Sequence, residues 1–191
     1  MSLNQLLAQK KTAVLKIWFN STIKTYQPDT AAFLKNQKDP FANPVGRTIS
    51  RGLEELLDGL LKEMDPKIMQ SLLDPIIRIR AIQDFSPSQA TSFIFFLKDA
   101  VRETLNKEDP ESKHFKELLL FESKVDELGL MAFDVYMKCR EKIYELKANE
   151  MKNRTFMAFK RAGLVREMPA DQPDLDNNNI CKKASNDISV L

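Results

Sequence analysis

The sequence predicts an all-α fold in one domain, and three observations carry that reading. Glycine is scarce, with five in 191 residues, whereas β-rich chains need glycine at their turns. Apolar residues recur at the 3.6-residue helical period. Helix-opening signals are frequent: capping boxes at Ser2–Gln5 and Ser86–Gln89, and Asp followed by Pro at Asp65–Pro66 and Asp109–Pro110.

Residues 2 to 26 read as the first helix, with Leu3, Leu6, Leu7, Val14, Ile17 and Trp18 on its apolar positions. Pro28 closes it and opens a short helical turn through Ala31, Phe33 and Leu34. The stretch KDPFANPVGRTIS is a loop leading into a helix from about Val45 to Met64, with Ile49, Leu53, Leu56, Leu57, Leu60 and Leu61 inward. Asp65–Pro66 starts a helix to about residue 83. A kink or break is expected at Pro75, which lacks the amide donor. Ser86–Pro87 starts the next, to about Lys107. Asp109–Pro110 starts another to about Leu128, and Gly129 separates it from a long helix over 130 to 162. Gly163 stands where a C-terminal cap belongs. Roughly six or seven helices result, forming a domain over 1–164. Residues 165–191, polar and aperiodic with two prolines, read as a disordered tail.

The stretch SPSQATSFIFFLKDAVRE concentrates Phe93, Phe95 and Phe96 within four positions. At 100° per residue Ala90, Phe93, Ile94, Leu97 and Val101 share a face, Phe96 flanks it, and Phe95 points away among Lys98, Asp99 and Arg102. Packing explains Phe93 and Phe96. Phe95 needs a second layer of protein or a contact surface.

Composition excludes several classes. An apolar fraction of 43% with 29% charged residues describes a soluble globular chain. No run reaches the roughly eighteen uncharged apolar residues of a membrane helix. The opening segment also lacks a signal peptide's apolar core and cleavage site, so a cytoplasmic protein with no membrane span is expected. Cys139 and Cys181, one in a helical pattern and one in the tail, suggest neither a disulfide framework nor a zinc site.

The tests for chemistry come out negative. His114 is the sole histidine and therefore the one candidate haem ligand; its neighbours Lys113 and Lys116 suggest a solvated first turn instead. No metal site, cofactor or catalytic residue is expected. Glu54, Glu55, Asp58, Glu122 and Asp126 lack the Glu-x-x-His motifs of a di-iron bundle and read as solvated carboxylates. Serine and cysteine nucleophiles have no partnered base. Val45-Gly46-Arg47-Thr48 holds a lone glycine and carries little weight as a phosphate loop. The last helix is rich in Lys and Arg, from Lys138 to Arg161, but these point all round it and alternate with Glu141, Glu145 and Glu150. A basic DNA-binding regulator is thus an alternative, with nucleic acid disfavoured.

That last helix carries two apolar stripes. One is Ala132, Val135, Tyr136, Cys139, Ile143 and Leu146; the other is Phe133, Met137, Tyr144, Ala148, Met151 and Phe159. A helix on the outside of one domain needs a single stripe. Two imply burial on both sides, by its own chain or by a second copy. The second option is a homodimer in which the last two helices of each subunit form a four-helix bundle.

The segments DPFANPVGRTISRGLEELLDGLL, FSPSQATSFIFFLKDAVRETL and KCREKIYELKANEMKNRTFMAFKRAGLV resemble the RsbT co-antagonist protein RsbRD N-terminal domain family, over roughly residues 3 to 165. The resemblance implies a non-haem, globin-like helical sensory domain of bacterial stress signalling. Relatives join such a domain to a STAS domain and modulate a kinase switch. This chain departs from them after residue 165, where no STAS domain fits, so a stand-alone sensor or adaptor acting through protein contacts is expected, without enzymatic activity. Its partners would belong to a STAS-domain or kinase-switch complex. A haem-binding or hydrophobic-ligand-binding sensor is the alternative, its pocket drawn from Trp18, Phe19, Phe93 and Phe96. Phe95 joins Phe133, Met137, Tyr144, Met151 and Phe159 as the expected interface.

Overall fold

The structure, a computed structural model, describes residues 2–37, 39, 41–83, 85–106 and 114–164. Every regular element among them is helical. The predicted first helix is two: α1 (Leu3–Gln9) and α2 (Lys11–Ile23). The Ser2 capping box forms as expected, with Ser2 N donating to Gln5 Oε1 at 3.0 Å. The chain then turns at Lys10, whose ψ of 11° leaves helical space. The turn leaves Leu3, Leu6 and Leu7 of α1 buried together with Val14 and Trp18 of α2.

Helix α3 (Pro28–Asn36) starts on Pro28, and α4 (Pro44–Leu61) follows the loop. Asn43 joins them: its Oδ1 accepts from Gly46 N at 2.8 Å, and its Nδ2 donates to Leu34 O and Gln37 O, each at 3.0 Å. One buried amide thus caps the start of α4 and the end of α3. Helix α4 stops at Leu61, short of the expected Met64. Glu63 takes a positive φ of 53° there, and Met64 N returns to Gly59 O at 3.0 Å.

Helix α5 (Pro66–Ile82) is capped by Asp65, which accepts from Lys67 N at 2.8 Å. Of the kink or break expected at Pro75, the break does not occur, for α5 runs on through it. An interior proline costs about 3 kcal/mol, but Leu73, Ile76 and Ile77 beside it are fully buried. Each such side chain contributes about 1.5–3 kcal/mol, so packing prevails.

The helix predicted over 86–107 is interrupted. It forms as α6 (Pro87–Thr91), a 3-10 turn (Ser92–Ile94) and α7 (Phe96–Asn106). Side chains engage the carbonyls at the interruption. Trp18 Nε1 donates to Phe93 O at 2.6 Å, and Gln89 O accepts from Ser92 Oγ at 3.0 Å and Arg80 Nη2 at 2.8 Å. Lys107 and the Asp109–Pro110 helix start lie outside the described residues.

The two helices expected on either side of Gly129 are one, α8 (Phe115–Arg161), 47 residues long. Gly129 lies within it and is buried. A methyl group there would stand 2.5 Å from Phe95 Cζ, so this glycine marks a close approach rather than a helix end. Gly163 caps α8 as predicted, with φ of 69° and the amide of Leu164 returning to Phe159 O at 3.0 Å. Counting α6 to α7 as one interrupted helix, the described residues form seven helical segments, within the expected range though divided differently.

Two compact units are distinguished, Met1–Leu146 and Lys147–Leu191. The first holds the hydrophobic core, built around Trp18, Leu53, Leu57, Ile77, Phe93 and Val125. In the second, residues 147 to 164 are described and all are exposed. The predicted tail over 165–191, with Cys181, lies outside the described residues.

Candidate functional site

The two stripes of α8 have different fates. Ala132, Val135 and Tyr136 are buried, Cys139 and Ile143 are half-buried, and the stripe runs out at exposed Leu146. Tyr136 Oη fastens this side by donating to Phe85 O at 2.6 Å. The other stripe is uncovered: Phe133 is 44% exposed, Met137 38%, Tyr144 57%, Met151 70% and Phe159 49%. Ala148 is exposed as well. Phe95, 42% exposed, lies across Gly129. Gly129 is four residues from Phe133 and so shares its helix face. Phe95 therefore borders the Phe133–Met137 end of the stripe.

The four residues of the expected ligand pocket have different surroundings. Trp18 and Phe93 are fully buried in the core and joined by the indole hydrogen bond. Phe96 is half-buried against the same core. Phe19 instead lines a groove of about 480 Å³ with Leu34, Asn43, Ser50 and Arg51. His114 precedes α8, its Nδ1 3.3 Å from Glu117 Oε1. Glu117 also accepts from Leu3 N at 2.6 Å, and that bond, followed by His114, holds its carboxyl below the ordinary range.

The carboxylates noted in the sequence are held in ion pairs. Lys11 meets Glu54 at 2.8 Å and Asp58 at 2.9 Å, which raises the pKa of the ammonium. Arg51 meets Glu55 at 2.7 Å, and Lys98 meets Asp126 at 2.6 Å. Glu122 is no solvated carboxylate: it is buried and receives Arg102 Nε and Nη2, both at 2.7 Å. Among the described residues no group of three His, Cys, Asp or Glu side chains is placed to hold a metal ion. No helix among them is long and apolar enough to cross a membrane. Cys139 lines a groove of about 580 Å³ with Asp74, Arg78, Val135 and Ile143. Burial, then the charge of Asp74, pushes its thiol pKa up.

One residue escaped the sequence reading. Arg80 lies in the core stripe of α5 with Leu73, Ile76, Ile77 and Ala81, and it is fully buried. Its Nη2 donates to Thr25 Oγ1 at 2.9 Å and Gln89 O at 2.8 Å. Its Nε and Nη1 and the nearby Tyr26 hydroxyl meet no partner at hydrogen-bond geometry among the described residues, although guanidinium and hydroxyl lie close enough to act on each other. An orphaned buried donor costs about 1–3 kcal/mol. The guanidinium carbon lies 4.3 Å from the ring centre of Phe85, 5.3 Å from Tyr26 and 5.5 Å from Phe93. Such faces attract a cation without accepting its hydrogen bonds. Burial pulls the Arg80 pKa below its ordinary value, while it raises that of Tyr26 against the weaker pull of the guanidinium. A groove of about 320 Å³ adjoins, lined by Thr25, Tyr26, Thr30, Gln83, Phe85 and Gln89. The sequence signal was a charge at a core position, three and four residues after Ile77 and Ile76.

The same stretch of chain meets α8. Ala81 O accepts from Arg140 Nη1 at 3.0 Å, and Arg140 Nη2 donates to Tyr144 Oη at 2.8 Å. Tyr144 belongs to the uncovered stripe.

Comparison with known proteins completes these observations. The family model described as RsbT co-antagonist protein rsbRD N-terminal domain matches residues 22–151. A protein of Archaeoglobus fulgidus, described as uncharacterized, is 30% identical over 105 residues, which is 53% of this chain. The chain covers 66% of that relative's length. No solved structure matches. The matched span contains Arg80, Phe95 and the α8 stripe through Met151.

Proposed function

Because the chain belongs to the RsbT co-antagonist protein rsbRD N-terminal domain family, a family of signalling-associated regulatory domains, we propose that it is a non-enzymatic sensory or adaptor module working through protein contacts. Its output is a partner-switching complex of the STAS-domain or kinase-switch kind. Its own association is a homodimer, built by α8 pairing with α8. Because the two helices expected to form the bundle are one, the pairing reduces to a two-helix seam, bordered by Phe95.

The observation that carries this reading is the uncovered stripe Phe133, Met137, Tyr144 and Met151. Methionine and aromatic side chains suit an adaptable contact surface, and a two-fold contact is the commonest way to cover such a face. The basic residues of α8 favour protein over nucleic acid. Lys142 pairs with Glu145 at 3.0 Å, Arg154 lies 3.9 Å from Glu150, and Arg140 is bonded to Ala81 O and Tyr144. Such pairs leave less free charge for phosphate.

Sedimentation tests the reading. The wild-type chain is expected to be a dimer at concentrations on the order of tens of micromolar, above a ~1 μM Kd worth about 8 kcal/mol. Tyr144→Glu and Met151→Glu are expected to yield monomers of unchanged helix content. A strict monomer in the wild type would remove the dimer.

A further inference from the structure

We propose that Arg80 is the recognition centre of a binding site for a small monocarboxylate, whose apolar part lies against the rings of Tyr26 and Phe85. The reasoning starts from unmet hydrogen bonds. Arg80 Nε, Arg80 Nη1 and the Tyr26 hydroxyl are buried with no partner at hydrogen-bond geometry among the described residues; they neighbour only each other, and all can donate. A carboxylate only accepts, and it also brings the negative charge that the guanidinium lacks among the described residues. One oxygen takes an Arg80 N–H and the other takes the Tyr26 O–H.

The surroundings select within the anions. The adjoining groove offers Thr25, Thr30, Gln83 and Gln89 as neutral polar groups and Tyr26 and Phe85 as apolar walls, with no cation among the described residues of its own lining. A dianionic phosphate would leave net charge buried after meeting a single guanidinium, and buried net charge is strongly disfavoured. A singly charged acid with an aromatic or short aliphatic body leaves none. Its volume must suit a groove of about 320 Å³.

Access requires two rings to move. Tyr26 and Phe85 pack edge to face, 5.1 Å between centres. Both lie on connections, Tyr26 between α2 and α3 and Phe85 between α5 and α6, so either ring swings without unwinding a helix. Where the Phe85 backbone shifts with its ring, the shift is felt at α8, because Phe85 O holds the Tyr136 hydroxyl, and Ala81 O, one residue beyond Arg80, holds the Arg140–Tyr144 pair. On the reading that the outer face of α8 carries the protein contact, occupancy of the site is an input to that contact. The site itself does not depend on that reading.

The test is a titration of the full chain with benzoate, followed through the Arg80 Nε–H resonance, with benzamide and inorganic phosphate as comparators. Benzoate is expected to give a saturable shift, and benzamide none. Tyr26→Phe, which removes one hydroxyl and keeps the ring, is expected to weaken benzoate at least ~10-fold. Arg80→Met is expected to abolish binding as read by calorimetry; should that variant not fold, Tyr26→Phe still decides. No saturation with benzoate, an equal response to benzamide, or affinity unchanged in Tyr26→Phe would overturn the site. Tighter binding of phosphate would overturn its assignment to a monocarboxylate. Benzoate binding is also measured in Met151→Glu: retained affinity in that chain supports a site independent of the dimer, and affinity lost with the dimer would overturn it.

Discussion

Gly129 shows what a single hydrogen atom decides. Alanine there meets Phe95 Cζ at 2.5 Å, but that atom is the far end of a half-exposed ring that can swing outward. Alanine also gains about 1 kcal/mol of helix propensity over glycine. Gly129→Ala is therefore expected to change stability by no more than about 1 kcal/mol in urea titration, while displacing Phe95 and altering sedimentation. Glu117 carries the acid-side prediction. Its folded pKa lies below the unfolded value because Leu3 N and His114 favour the carboxylate. Its contribution is thus fully present above the unfolded value of about 4.3 and lost as pH falls through the lower folded value. Glu117→Gln should flatten the acid limb of stability against pH and leave the neutral region comparatively unchanged. Residue directions were largely legible in the sequence. Helical phase alone separated buried Phe93 from exposed Phe95, since their directions follow from 100° steps. Arg80 was not legible, because an arginine in an apolar stripe resembles one whose head reaches water, and only the packed neighbours reveal that it does not.

Element boundaries followed chemistry where a side chain or proline supplied it, as at Ser2, Asp65, Ser86 and Gly163. They failed where a tertiary bond decided. The local bond at the interruption after Thr91, from Ser92 Oγ to Gln89 O, is one that serines also make within unbroken helices; the donor that engages Phe93 O is on Trp18, 75 residues away in sequence. Trp18→Phe should leave that carbonyl unpaired and a void beside it, at a combined cost of about 2–4 kcal/mol. Urea denaturation would measure it, and a cost below that of a typical surface substitution would show that the indole bond does not shape the break. The division expected at Gly129 failed for the opposite reason: a glycine's weak propensity is one small penalty, readily overcome by the buried neighbours Val125, Leu128 and Ala132.

For the whole molecule, family and helical class were legible together, because long apolar periods and quoted segments carry both. The partner of the outer α8 stripe was not, since two stripes on one helix fit self-burial and association equally well until exposures are known. Residues 147 to 161 are helical and entirely exposed. A helix with no buried face is marginal in water, so its amides have little protection of their own. Hydrogen exchange in the Met151→Glu chain should be fast over 147 to 161 and slow over 121 to 136, whereas wild type at high concentration should slow both. Equal rates over 147 to 161 in the two chains would mean that this length of α8 is not covered by a second copy.

The spacing of that seam constrains whatever covers it. Leu130, Met137, Tyr144 and Met151 follow a seven-residue repeat, with Phe133 between the first two, and an undistorted α-helix slips about 20° for every such repeat. Two parallel rods would lose one another within a few turns. Any long-running mate must coil around α8 in a left-handed sense, and a flat surface could engage only one end of the row at a time.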